Sequence, residues 1–237
     1  MIPLSDANPA RSVPGVNLLL ILANISVFVY QHYCAPAGPE ALLGRLGFIP
    51  YELFHGVDIG PRNLVPAPLT VVTAMFMHGG WLHLLGNMLY LWIFGDNIED
   101  RLGHLRYLVF YTICGLTAAG VHGLVNINSR VPTIGASGAI AGILGAYLLL
   151  FPGAKINTLF IIVIFIRIIK VPAFILLGYW ILIQILSGFA EYGTPAEGGI
   201  AWFAHSGGFI CGLVLIILMR RRKGWRRRRT AAPSRSS

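Results

Sequence analysis

Charge is what this sequence has least of. Asp, Glu, Lys and Arg together make up 11% of its 237 residues, and hydrophobic residues make up 56%. A soluble domain carries about 25% charged residues, so this composition excludes an ordinary soluble fold and points to a membrane-embedded one. Cysteine is scarce too. Cys34, Cys114 and Cys211 are an odd, scattered set, and two of them lie inside apolar runs, which excludes a structural disulfide framework. No cleavable signal is expected. The first apolar run, Val16 to Tyr30, follows a single arginine, Arg11, and no small-residue cleavage site stands out after it, so it reads as a retained anchor.

The charge that is present is unevenly placed. Eight of the eighteen Lys and Arg residues lie between Arg220 and Arg229, directly after the last apolar run. No aromatic-interleaved basic surface accompanies them, so they argue for anionic lipid at a membrane face and against a nucleic-acid partner. Three regions follow: a segment at 1–15, a membrane domain at 16–219 and a basic tail at 220–237. With about 20 apolar residues needed per span, helices are predicted near 16–33, 82–98, 104–123, 137–151, 172–189 and 200–219. The fold expected is an all-α, six-helix polytopic bundle with a large outer first loop. Residues 1–15, with three prolines, are expected to be irregular. The proline-rich connection 34–80 is expected to carry short interfacial helices. The β-branched piece Ile156 to Ile169, interrupted by Arg167 and Lys170, is expected to be extended or re-entrant.

Six spans put both ends of the chain on one side. The segments then inside hold fifteen Lys and Arg residues, and those outside hold three, Arg45, Arg62 and Arg130. The positive-inside rule therefore assigns both termini to the cytoplasm. The short loops and the lack of added domains suggest a bacterial inner membrane.

In that topology the unusual polar residues gather at one depth. Ser137, in Gly135-Ala136-Ser137-Gly138, opens a helix descending from the outer face. His205 lies about a turn into another such helix, and His83 and Asn87 share a face at the outer end of a third, being four residues apart. Small residues at four-residue spacing, Gly138-Gly142-Ala146 and Gly208-Gly212, let these helices approach closely. A serine is a weak nucleophile until a base takes its proton, and neutral histidine is such a base. Ser137 and His205 are thus candidate nucleophile and base of a serine hydrolase. His83, Asn87 and the Ser137 N–H are candidate oxyanion donors. No carboxylate stands near His205; Glu191 and Glu197 fall in the outer loop. The expectation is a dyad, with His205 held by packing.

Four motifs give this pattern a family likeness. His78-Gly-Gly-Trp-Leu-His83-Leu-Leu-Gly-Asn87, Glu99-Asp100-Arg101-Leu102-Gly103, Gly135-Ala136-Ser137-Gly138 and Ala204-His205-Ser206-Gly207-Gly208 occur in order on the expected helices. The sequence resembles the rhomboid intramembrane serine proteases over roughly residues 16–219. The resemblance implies cleavage of single-span or multi-span membrane proteins near the outer end of their membrane segment, with no metal or cofactor. It implies a structural or water-retaining role for His78, and a role for Glu99 in pairing with Arg101 or with helix-end N–H groups. It places the motion that admits substrate near Trp180 to Phe189. One departure is Ala141, where some members carry an aromatic that packs on the histidine. Two alternative readings compete with this one. A catalytically inactive relative acting as a membrane-protein binding or quality-control factor would commonly lack Ser137 or His205. A transporter would need polar residues at mid-membrane. Oligomeric state leaves no trace in the sequence.

Overall fold

In a computed structural model, the described residues are 1–59, 64–162, 165–192 and 200–219. The chain runs β1 (Ile2–Asp6), α1 (Gly15–Val29), α2 (Gly38–Leu46), α3 (Pro50–His55), α4 (Ala67–Ala74), α5 (Trp81–Leu102), α6 (His104–Val125), α7 (Ser137–Leu150), β2 (Lys155–Ile162), β3 (Phe165–Pro172), α8 (Ala173–Glu191) and α9 (Trp202–Met219). A π-helical turn, Tyr30–Cys34, prolongs α1. The connection after α1 holds the three short helices α2, α3 and α4. Among the described residues, four helices are long and apolar enough to cross a membrane: α1 with its π turn, α6, α8 and α9. Helix α5 has the length, but Asp96, Glu99, Asp100 and Arg101 crowd its last two turns. Helix α7 has 14 residues.

Helix α7 is the axis of the bundle. Residues 138 to 147 are all buried, so the helix is apolar on every face for the reason any core helix is. Its glycines let the neighbours come to backbone contact. A Cβ at Gly142 would lie 2.5 Å from Cys114 of α6, and one at Gly138 would lie 2.5 Å from Ala118. On α9, a Cβ at Gly208 would strike the Gly138 carbonyl and one at Gly212 the Gly142 carbonyl. Between α5 and α6 the chain reverses at the single residue Gly103, whose φ of +81° few other residues adopt.

The fold is not all-α. Strands β1, β2 and β3 form an antiparallel sheet in that order. The extended reading of residues 156–169 matches a hairpin that pairs Ile156 with Val171 and Phe160 with Arg167. Residues 1–15 depart from expectation, because Ile2 pairs with Leu159 and Asp6 with Ile156. The prolines argued for irregular chain, yet an edge strand tolerates Pro3, which adjoins a shift in register between residues 3 and 5.

A polar network ties this sheet to the nearby helix ends. Asp6 accepts hydrogen bonds from the Tyr147 hydroxyl at 2.5 Å and from Asn97 at 3.2 Å, and burial raises its carboxyl above the usual range. Glu99, fully buried, accepts from the backbone N–H groups of Val16 at 2.9 Å and Asn17 at 2.7 Å, and contacts His104 Nδ1. Of the two roles expected for Glu99, the structure displays the one at helix-end N–H groups, where a carboxylate meets the positive end of the helix dipole. The Arg101 guanidinium lies over the Phe151 ring.

Candidate active site

The loop before Ser137 is held from two sides. Phe48 and Thr133 exchange backbone hydrogen bonds, and Gly135 N–H donates to the Ala74 carbonyl at 2.8 Å. Gly135 has φ +115°, in the region that favours glycine. A Cβ there would also lie 2.7 Å from His83 Nε2 and 3.6 Å from Asn87 Nδ2. Glycine thus lets the chain turn into α7 directly against those two side chains.

Ser137 opens α7, and its Oγ lies 2.8 Å from Nε2 of His205 on α9. The other ring nitrogen of His205, Nδ1, lies 2.7 Å from Oε1 of Gln184 on α8. Gln184 Nε2 donates to the Trp180 carbonyl at 3.3 Å, which fixes which amide atom faces the histidine. A carbonyl oxygen only accepts, so Nδ1 carries the proton and Nε2 is free to accept the Ser137 hydroxyl. The Trp180 ring lies 5.8 Å from the imidazole, tilted by 35°. His205 is therefore not held by packing alone: a side-chain hydrogen bond and an aromatic ring, both from α8, meet it.

Asn87 is buried, and its Nδ2 donates to Nε2 of His78 at 3.0 Å. His78 is fully buried, with Nδ1 3.3 Å from the Phe76 carbonyl, so it too is the Nδ1–H tautomer. Burial, and then the neighbouring His83, push its pKa down to about 4. Its backbone carbonyl accepts from Gln31 of the π turn at 2.9 Å. His83 sits exposed at the rim, edge-on to His78 at 5.0 Å. The structure thus gathers all five residues singled out in the sequence. Glu191 ends α8, and Glu197 lies outside the described residues.

Sequence reasoning missed Gln184 and Trp180. The available signal was Gln184 itself, the one amide in the apolar stretch Ala173 to Ala190. A cavity of about 30 Å³ adjoins Ser137, lined among others by Met75, Ala118, Gly138 and Ala204. That is room for a water or two. A wider apolar hollow of about 440 Å³ lies between α6 and α9 and includes none of the five. No cluster of three or more His, Cys, Asp or Glu side chains that could hold a metal occurs among the described residues.

The family model of the rhomboid domain matches residues 67–222. The chain belongs to the rhomboid family. Among rhomboid relatives, it is 32% identical to RHOMBOID-like protein 5 of Arabidopsis thaliana over 55% of this chain and 48% of the relative. It is 28% identical to the mitochondrial RHOMBOID-like protein 6 of the same plant, over 90% of this chain and 72% of that one. It is 30% identical to the mitochondrial Rhomboid protein 1 of Saccharomyces cerevisiae, over 65% of this chain and 42% of that one. The first and third of these rhomboids thus run to about twice the length that this chain spans. The rhomboid match covers α4 to α9 and leaves α1 and β1 outside it.

Proposed function

We propose that this rhomboid is an intramembrane serine endopeptidase using Ser137 and His205. The observation that carries the reading is the 2.8 Å Ser137–His205 contact at the start of the buried helix α7. His205 Nε2 takes the hydroxyl proton as Ser137 Oγ adds to an amide carbonyl. The resulting oxyanion would be met by His83, the second N–H of Asn87 and the backbone N–H of Ser137, each donor contributing on the order of 3 kcal/mol. His205 then gives its proton to the leaving amine. A water, deprotonated by the same nitrogen, splits the acyl-enzyme and restores Ser137. His78, by accepting from one Asn87 N–H, aims the other.

Depth suits a substrate held in the bilayer. Fourteen residues make α7 about 21 Å long, shorter than the hydrocarbon core of about 30 Å. With its far end near the sheet, Ser137 would sit below the opposite surface, within reach of water entering past the exposed His83. A helical substrate hides its amides in internal hydrogen bonds. The proposed substrates are accordingly single-span or multi-span membrane proteins with helix-weakening residues near the cut. Undiminished cleavage of a substrate with a polyleucine helix there would sink that part.

Strand pairing supports six spans with both termini cytoplasmic. Strands β1 and β2 hydrogen-bond, so they share a side of the membrane, and α1, α5, α6 and α7 lie between them. Four crossings satisfy this, and the basic residues Lys155, Arg167 and Lys170 of the hairpin make that side the inner one. The site then faces the outer leaflet, with the connection 35–80 as the outer first loop. The mitochondrial names of two relatives weigh against the expected bacterial inner membrane, so the proposal is framed by the two bilayer faces. The basic tail, an anionic-lipid anchor by composition, lies outside the described residues.

The test is cleavage of a fluorescent single-span substrate in liposomes, with fluorophosphonate labelling, by the parent, Ser137→Ala and His205→Ala. Labelling and cleavage in the parent, both lost in Ser137→Ala, are expected. A folded parent that does neither would return the chain to the reading of an inactive membrane-protein binder.

A further inference from the structure

Helix α8 contributes one amide to the neighbourhood of the dyad, and that amide is spent on the histidine. Gln184 is 6% exposed and His205 is 9% exposed, so neither bond competes with bulk water. The Gln184 amide is used at both ends: Oε1 toward His205 Nδ1 and Nε2 to the carbonyl one turn back on its own helix. Its carbonyl oxygen meets the ring nitrogen of His205 that Ser137 does not use.

We infer that Gln184 is a positioning residue for the reaction, setting the tautomer and ring plane of His205 through Nδ1. The inference rests on the protease reading and goes beyond the dyad. An amide in this place orients the imidazole without a charge. A carboxylate would also stabilise the imidazolium that forms when Ser137 loses its proton. The distinction can be read in a pH profile, because among the described residues the other titratable groups whose charge reaches His205 are His83 on α5 and His122 on α6. Among the described residues, Ser137 of α7 and Trp180 of α8 also contact it, both without charge near neutral pH. Glu191, also on α8, is two turns beyond Gln184 at the helix end.

The experiment compares the full chain with Gln184→Leu and Gln184→Glu in liposomes. It measures kcat, KM and the pH profile of kcat/KM, together with 15N spectra of the histidine rings in a Ser137→Ala background, with the His205 signals assigned by His205→Ala. Gln184→Leu is expected to lower kcat about 10- to 100-fold with KM within about twofold, the scale of one buried hydrogen bond lost. Its His205 spectrum should change from one tautomer to a mixture. Gln184→Glu is expected to keep the single tautomer and to move the acid limb of kcat/KM upward by about one pH unit. A folded Gln184→Leu with parental kcat and an unchanged tautomer overturns the inference, as does Gln184→Glu with an unmoved acid limb. If Gln184→Leu fails to fold, Gln184→Glu decides alone. If the parent itself neither cleaves nor labels, the protease reading fails, and the 15N spectra still decide what Gln184 does to His205.

Discussion

At the scale of the residue, Asn87 and His78 form a pair whose two members should fail differently. Asn87→Ala removes a proposed oxyanion donor and is expected to lower kcat on the order of 100-fold with little change in KM, measured on the fluorescent substrate. His78 is neutral and buried, with a pKa held down at about 4 against the ordinary 6.5. Below pH 6.5 the unfolded chain therefore takes up a proton that the folded one refuses. Stability is full above about 6.5 and falls progressively as pH drops toward 4. Thermal unfolding in detergent should follow that slope, and His78→Gln should flatten it. A slope identical in the variant would mean the acid sensitivity has another source. Ser137, His205, His83 and Asn87 were legible in the sequence because each is costly inside an apolar helix and all fall at one predicted depth. Gln184 was not, because an amide among leucines and isoleucines reads equally well as a bond to backbone. Its partner lies 21 residues away on another helix.

At the scale of the element, the glycines of α7 and α9 carry the Ser137–His205 distance. Gly212→Ala would push a methyl into the Gly142 carbonyl, and Gly142→Ala would push one onto Cys114. Either change should cost about 1–3 kcal/mol in stability, and activity should fall because Ser137 and His205 sit on the two helices being forced apart. A Cβ at Gly178 of α8 meets nothing within 4 Å, so Gly178→Ala should be neutral or stabilising by up to about 1 kcal/mol. Equal losses at all three positions would remove close packing as the explanation. The helices were legible to within a few residues from apolar run length. The hairpin was half legible, since β-branched residues argued for extended chain but named no partner. Strand β1 was hidden, because register across a gap of about 150 residues leaves no local periodicity.

At the scale of the whole molecule, β1 joins two parts of the chain that only a common side of the bilayer can bring together. Ser5 pairs with Asn157, whose amide donates to the serine hydroxyl at 2.8 Å. With the exposed Cys34 replaced by Ser, a Ser5→Cys, Asn157→Cys double variant should cross-link on oxidation. A membrane-impermeant thiol reagent applied from the outer face should reach neither position. A cross-link that never forms, or labelling from outside, would sink the proposed orientation. The pairing also sets an order of events during synthesis. Strand β1 leaves the ribosome about 150 residues ahead of β2, which at 5–20 residues per second is a wait of roughly 8 to 30 s. In the proposed topology four helices enter the bilayer before the waiting strand can be paired, so the Asp6–Tyr147 bond closes only once α7 is in place.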